Sequence, residues 1–299
     1  MTPTLLVACV LAAGSLTAIA RRLATPLGWL DPLPGAPELG RKSQRRPAAP
    51  IGGPVVALVG GGCCIGLGDL GVLEGLALSS ALLIGVLDDR SVRGLGPLVK
   101  LILQALPASF VAATYRDAGP AAVLLAAFAT VFAINVVNTF DNSDGAAGSV
   151  SAFGLLFAGS PAGAALLGFL PQNIRRPSGA EPPQAYLGDG GTHLLGTWVV
   201  LEPAAWPALV VPAVDLARVI VVRLIAGARP WVGDRRHLAH DLERAGWSTL
   251  QRTLAFLACA APALLSTVIA GAPWRWGGIV LSSAATLALA WRVRAARMD

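Results

Sequence analysis

Charge is scarce in this chain. Of its 299 residues only 13% are Asp, Glu, Lys or Arg, while 55% are apolar and the mean hydropathy is +0.64. A soluble domain of this length carries about a quarter charged residues, so an ordinary water-soluble globule is excluded. Cysteine is also sparse. Cys9, Cys63, Cys64 and Cys259 lie in apolar stretches without metal-like spacing, which removes the basis for a disulfide framework or a thiolate metal site. His193, His237 and His240 come without supporting cysteines, and this argues against zinc. No G-x-x-x-x-G-K-[ST] run is present, so ordinary nucleotide hydrolysis is disfavoured. There is no internal repeat and no polar stretch long enough to build a soluble domain. The expectation is one membrane-embedded domain over residues 1–299.

What the chain has is long apolar runs, among them PTLLVACVLAAGSLTAIA (3–20), PAAVLLAAFATVFAINVV (120–137) and GGIVLSSAATLALAWRV (277–293). A hydrocarbon core of about 30 Å needs roughly 17–25 such residues per helix. The first run shows no small-residue cleavage site before the basic segment that follows, and it reads as a retained helix rather than a signal peptide. Apolar segments fall at 3–20, 52–68, 70–87, 97–114, 120–139, 148–159, 161–170, 191–201, 206–224, 251–271 and 274–292. They predict an all-α polytopic membrane protein with about 10–11 transmembrane helices, some of them short or broken.

The net charge of +6 is gathered in short connections: Arg21 and Arg22, 41–46, 223–236 and 292–297. Basic clusters of this kind mark cytoplasmic loops, and they are not a nucleic-acid signal. With residue 1 outside, the connections 21–50, 88–96, 140–147, 171–190 and 225–250 all face the cytoplasm. Two stretches strain this topology. Pieces of 10–12 residues rise only about 16–18 Å as helix, so 148–170 and 191–224 must each form a hairpin of buried half-spans. Otherwise each is a single span, and the loop 171–190 falls on the opposite side.

The few acidic residues lie at span ends. Asp88 and Asp89 end one apolar run, Asp141 and Asp144 another, and Asp189 stands in LGDGGTHLLG, whose LGDGG reads as a Gly-containing turn; Asp215 lies apart, within PAVDLARVI. Acids grouped at membrane depth are expensive and face a polar cavity. Collected with Lys42, Lys100, Arg229 and His237, they suggest a hard divalent cation with an anionic substrate, since Mg²⁺ takes one or two carboxylates together with phosphate oxygens. A membrane-embedded phosphoryl-transfer site is the inference from the residues alone. A transporter is the rival reading, but it would need ionisable groups near the midplane and usually repeats.

Five segments in order carry a resemblance: RKSQRRPAAPIGG (41–53), GVLDDRSVRGLGPLVKLILQ (85–104), NVVNTFDNSDGAAG (135–148), LGDGGTHLLG (187–196) and RPWVGDRRHLAHDLERAGWS (229–248). Together, over about residues 40–250, they resemble the motifs of the polyprenyl-phosphate N-acetylhexosamine-1-phosphate transferase superfamily (glycosyltransferase family 4). The match is nearer its bacterial undecaprenyl-phosphate GlcNAc-1-phosphate branch. The resemblance implies that undecaprenyl phosphate attacks the β-phosphorus of a UDP-N-acetylhexosamine, UMP leaves, and a lipid-linked sugar begins a cell-envelope glycan. It implies a bacterial cytoplasmic (inner) membrane protein with its active site facing the cytoplasm, Mg²⁺ as cofactor with Mn²⁺ as a substitute, surrounding membrane lipid, and no nucleic acid. A homodimer stays open.

By the family pattern Asp88, Asp89 and Asp189 are the catalytic and metal-site residues, with Asp189 the direct ligand. Lys42, Lys100, Asn135, Asn138, Asp141, Asp144, Arg229, His237 and His240 would contact the nucleotide or phosphates. The two amides are expected on the last helical turn, with both following acids in a turn that Gly145 and Gly148 permit. The chain also departs from the pattern. Asn142 replaces a glycine, Ala239 a histidine, Gln44 a frequent histidine and Thr192 a serine. A catalytically weakened relative with a structural or regulatory role is therefore the alternative.

Overall fold

The computed structural model describes residues 1–30, 48–91, 94–174, 184–229, 235–269 and 272–295. Helix α1 (Pro3–Ala24) is followed by a short strand β1 (Ala48–Pro50). Next, α2 (Gly52–Val56) runs through a π-helical turn (Ala57–Gly61) into α3 (Gly62–Leu67). Then come α4 (Val72–Arg90), α5 (Pro97–Thr114), α6 (Pro120–Phe140), α7 (Ala146–Phe157) and α8 (Pro161–Ile174). After strand β2 (Gln184–Tyr186) the chain forms α9 (Gly188–Leu201), a 3₁₀ stretch (Pro203–Leu209) and α10 (Val210–Ile225). The last elements are α11 (Leu238–Arg244), α12 (Thr249–Ile269) and α13 (Ala272–Ala295).

Local chemistry sets many of these starts. Proline is the first residue of α1, α5, α6 and α8, where its missing N–H would be unpaired anyway and its φ already suits the helix. The Thr2 hydroxyl additionally accepts from Leu5 N at 3.3 Å. Every apolar segment read from the sequence is helical. Among the described residues, five helices are long and apolar enough to cross a membrane: Pro3–Ala24, Pro97–Thr114, Pro120–Phe140, Thr249–Ile269 and Arg275–Ala295. Packing has the membrane pattern. The interior is rich in small residues such as Ala13, Ala77, Ala81, Ala133 and Ala152, while Leu11, Leu98, Ile102, Leu124, Phe128 and Leu281 point outward. Small residues let helices approach where the solvent itself is apolar.

The stretch 148–170 does form a hairpin. Helices α7 and α8 pack against each other, and α8 also lies along α1. Twelve and fourteen residues rise only about 18 and 21 Å, and their shortness is shielded by burial on nearly all sides. The chain leaving α8 returns to the face from which α2 starts. There β2 pairs in parallel with β1, Ala48 opposite Gln184 and Pro50 opposite Tyr186.

Several boundaries differ from expectation. The LGDGG run is not a turn but the first turn of α9, because its glycines let that helix press against α2 and α4. Asp88 and Asp89 lie inside the last turn of α4, which extends to Arg90. The segment 206–224 opens as 3₁₀ rather than α-helix, since Pro203 and Pro207 remove backbone donors there.

Candidate active site

Helix α9 is the axis of the site, and its N-terminus is seated by contact with α4. A methyl group added at Gly85 would come within 2.1 Å of the Asp189 carbonyl oxygen and 2.4 Å of Gly190 N. Only a residue without a side chain permits this approach. One turn further along α4, Asp89 accepts from both backbone donors it meets: Asp189 N donates to Oδ1 at 2.8 Å and Gly190 N to Oδ2 at 3.0 Å. The first N–H groups of a helix have no partner within it and carry its positive end. Asp89 satisfies two of them with its two carboxyl oxygens.

The other two acids converge on one lysine. Lys100 Nζ lies 2.5 Å from Asp88 Oδ2 and 2.6 Å from Asp189 Oδ2. Asp88 is only 7% exposed, and its Oδ1 accepts from Leu95 N in the α4–α5 connection. The second oxygen of Asp189 accepts from Asn138 Nδ2 on α6, and the same amide donates to Thr192 Oγ1 at 2.9 Å. Helices α4, α5, α6 and α9 thus each supply a group. Two carboxylates face one ammonium here, and the Asp89 carboxyl lies beside them on the backbone of α9.

Beneath this cluster runs a buried polar chain of consistent direction. Asn135 Nδ2 donates to Gln104 Oε1 at 2.7 Å, and Gln104 Nε2 stands 3.1 Å from His193 Nε2. His193 Nδ1 is 2.8 Å from the Asp189 carbonyl oxygen. Because a carbonyl only accepts, the imidazole proton sits on Nδ1 and Nε2 receives the Gln104 amide. Every bond in the series is satisfied in that tautomer.

The turn after α6 brings in the next pair of acids. Gly145 adopts φ +78° and opens α7, and Asn173 Oδ1 accepts its N–H at 2.7 Å. Gly148, in contrast to the sequence expectation, lies within α7 and serves packing rather than the turn. Asp141 and Asp144 are both partly buried in this turn. Burial pushes the Asp141 carboxyl well above the usual range, and the negative charges of Asp144, Asp189 and Asp89 push it further. All four acids therefore share one field.

A second cluster forms around Asp215, the acid that stood apart in the sequence. It is 1% exposed. Its Oδ2 lies 2.8 Å from His237 Nδ1, while Oδ1 accepts from Leu238 N at 3.0 Å and from Arg218 Nη2 at 2.8 Å. His240 Nδ1 stands 3.5 Å from Glu243 Oε2, which also receives Arg235 at 2.9 Å. Helix α12 links this cluster to the first. Arg252 Nη1 donates to the Ala239 carbonyl and Thr253 Oγ1 to the Asp144 carbonyl, each at 3.5 Å.

The expected residues thus fall into two groups. Asp88, Asp89, Lys100, Asn138 and Asp189 are in direct contact, with Asn135, Asp141 and Asp144 beside them. His237 and His240 belong to the Asp215 cluster. Arg229 is exposed beyond the end of α10. Lys42 lies outside the described residues. Gln104, His193 and Asp215 were not singled out as site residues, yet each has a signal. Gln104 follows Lys100, and His193 follows Asp189, by one helical turn of four residues, the spacing that places side chains on one face. Asp215 has Arg218 three residues on, a pairing that suits a buried acid.

Among the described residues, no three His, Cys, Asp or Glu side chains form a ready-made metal cage. The chemistry on offer is hard: carboxylate oxygens on α4 and α9, a side-chain amide, and an ammonium between the carboxylates.

No family model matches the chain. Curated relatives include the proteins named undecaprenyl-phosphate alpha-N-acetylglucosaminyl 1-phosphate transferase of Escherichia coli (strain K12) and of Shigella flexneri. Each is 29% identical over 184 residues, covering 50% of this chain and 48% of the relative. The chain therefore matches about half the length of these relatives. The motif resemblance and these relatives point the same way: half of the chain is similar to proteins named undecaprenyl-phosphate alpha-N-acetylglucosaminyl 1-phosphate transferase.

Proposed function

We propose that this protein transfers a sugar-1-phosphate, GlcNAc-1-phosphate in the first instance, from a UDP-N-acetylhexosamine to undecaprenyl phosphate. UMP is released and a lipid-linked sugar diphosphate remains in the membrane. The observation that carries this reading is the convergence of Asp88, Lys100, Asn138 and Asp189 at the N-terminus of α9, beside Asp89. Phosphoryl transfer depends on positioning and charge neutralisation, and these residues are arranged for both.

One oxygen of undecaprenyl phosphate forms a bond to the β-phosphorus as the anhydride oxygen to UMP departs. The nucleophile needs little help. A phosphate monoester has a second pKa of about 6, so it is mostly dianionic at neutral pH and no residue has to remove its proton. The fit of Mg²⁺, with Mn²⁺ as substitute, rests on the donor set: Asp88 and Asp189 offer the one or two carboxylates that Mg²⁺ takes beside phosphate oxygens, and the Lys100 ammonium stands in for a cation between them. When bound, the ion would neutralise phosphate charge. Asp89 holds the helix that carries Asp189 instead of entering the chemistry, because both its oxygens are engaged by backbone donors. Lys100 and Asn138 bind phosphate oxygens. Asp215 keeps the His237 proton on Nδ1, so that Nε2 is the ring atom turned to substrate. Asp141 and Asp144 shape the nucleotide side. The clusters at 41–46 and 223–236 support a bacterial cytoplasmic membrane with the site on the cytoplasmic face.

The test is UMP release by purified protein supplied with Mg²⁺, undecaprenyl phosphate and UDP-GlcNAc, with other UDP-sugars as competitors. Turnover that Asp189→Asn abolishes is expected. No turnover with any UDP-N-acetylhexosamine would overturn the reading.

A further inference from the structure

Lys100 occupies a position that a divalent cation would contest. Its ammonium serves two carboxylates at once, at 2.5 Å from Asp88 Oδ2 and 2.6 Å from Asp189 Oδ2. Those two oxygens are also the hard donors a metal at this face would require. The remaining oxygens are committed elsewhere: Asp88 Oδ1 to Leu95 N, Asp189 Oδ1 to Asn138, and both oxygens of Asp89 to the start of α9. A lysine and a divalent ion cannot share the pair without strong repulsion, which half-buried surroundings screen poorly. The lysine is also able to leave. Its side chain is 21% exposed and that of Asp189 27% exposed, and its flexible stem carries a point charge suited to phosphate.

We infer that Lys100 is the resident counter-cation of Asp88 and Asp189, and that a divalent cation displaces it and thereby releases it to the diphosphate of the nucleotide-sugar. The inference rests on the transfer reading for the identity of that diphosphate. Two consequences follow from linkage. Metal and diphosphate each raise the affinity for the other, because the ammonium lost by the carboxylates is received by the phosphates. Asp89 takes no part in the exchange, so α9 keeps its seat throughout.

The experiment is Mn²⁺ binding to the full chain in detergent, followed by electron paramagnetic resonance, with and without UDP. Wild type should bind Mn²⁺ weakly alone and more tightly with UDP. Lys100→Met should bind Mn²⁺ alone more tightly than wild type, by a factor within the 5–150-fold range of ordinary coupling energies, roughly, and gain less from UDP. Equal or weaker binding by Lys100→Met would overturn the inference. Wild-type protein supplies a check that needs no variant: Mg²⁺ should increase acylation of Lys100 by an amine-reactive ester, read by peptide mass spectrometry. Unchanged acylation would also overturn it. The transfer reading stands or falls separately. If wild type releases no UMP yet these shifts occur, transfer fails and the exchange is supported. UMP release with unaltered Mn²⁺ affinity in Lys100→Met does the reverse.

Discussion

Asp89 and Asp189 are 100 residues apart in sequence and are joined through the backbone: the carboxylate of one accepts the amide proton of the other. Asp89→Asn retains one acceptor oxygen but turns an NH₂ group toward an N–H. A hydrogen bond to a charged group contributes about 1.5–3 kcal/mol, so this variant should unfold at lower temperature and lose activity. Asp189→Asn removes the carboxylate and leaves the backbone bonds. It should abolish UMP release with a smaller change in melting temperature. Thermal unfolding in detergent beside the UMP assay checks the contrast, and the reverse order of the two stability losses would contradict the assigned roles.

Gly85→Ala tests the close approach of α4 and α9. The added methyl would meet the Asp189 carbonyl at 2.1 Å, with backbone on both sides. Overpacking of this kind costs about 1–3 kcal/mol. Activity should fall at least as far as in Asp89→Asn, although no polar group has been touched. Wild-type kinetics in Gly85→Ala would show that α9 has room to move.

Gln104→Leu breaks the polar chain between Asn135 and His193. It leaves the buried His193 ring nitrogen without its donor, while the Asn135 amide keeps the Val131 carbonyl, and the loss at a buried group costs about 1–3 kcal/mol. Lower thermal stability is expected, with a lower kcat and little change in KM for the UDP-sugar, because the damage reaches substrate only through Asp189. An altered KM at constant kcat would instead place Gln104 against the nucleotide.

His240 provides a pH signature. Burial, and then the Arg235 cation, hold its pKa below the ordinary histidine value of about 6.5, against the opposing effect of Glu243. The folded chain therefore resists a proton that the unfolded chain accepts. Stability from the neutral ring is complete above about pH 6.5 and is lost as pH falls through that value toward the folded pKa. The melting temperature of His240→Gln should decline less than that of wild type between pH 7.5 and pH 5.5. Parallel declines would assign the acid sensitivity to other groups.

Topology is open to direct labelling. Ile174 ends α8 and Gln184 begins the strand paired with Ala48, and Asn173 bonds to Gln184 and Ala185, so these two chain positions lie on one face. Ser178→Cys should react with an impermeant maleimide only from the cytoplasmic side, in inverted vesicles and not in intact cells. Labelling of intact cells would place that connection outside and dismantle the proposed site.

Much of this arrangement was legible in the residues. Long apolar runs mark α1, α5, α6, α12 and α13, the first three with proline starts, because lipid demands length and apolarity from each helix independently. Asp88, Asp89 and Asp189 could be named from motif and placement. Their division of labour could not be read, since it depends on which oxygen meets which donor. Sequence does not say that Asp89 faces the end of α9 while Asp88 faces Lys100. The helical LGDGG run was hidden for a related reason: its glycines read locally as a turn, and only the neighbouring Gly85 surface makes a helix there favourable. Asp215 was set apart because its partner His237 lies 22 residues away on another element. The Asn142 departure now has a local meaning. Its amide donates to the Thr139 carbonyl at 2.8 Å and closes the end of α6, so Asn142→Gly should lose about 1 kcal/mol of stability with modest effect on turnover, measured in the same two assays.

The parallel pairing of β1 with β2 also sets the order in which the molecule is completed during synthesis. Ala48 cannot find its partner until Gln184 has been made, and Asp89 waits 100 residues for the amide it holds. At about 5–20 residues per second, roughly 5–20 s separate the synthesis of Asp89 from that of Asp189. Through that interval the residues of α4 and α5 are already made, with Asp88 and Lys100 able to pair and the Gly85 groove unfilled. The Asp88–Lys100 pair can therefore form before its second acid exists, and α9 completes the site by bringing Asp189 to the same ammonium.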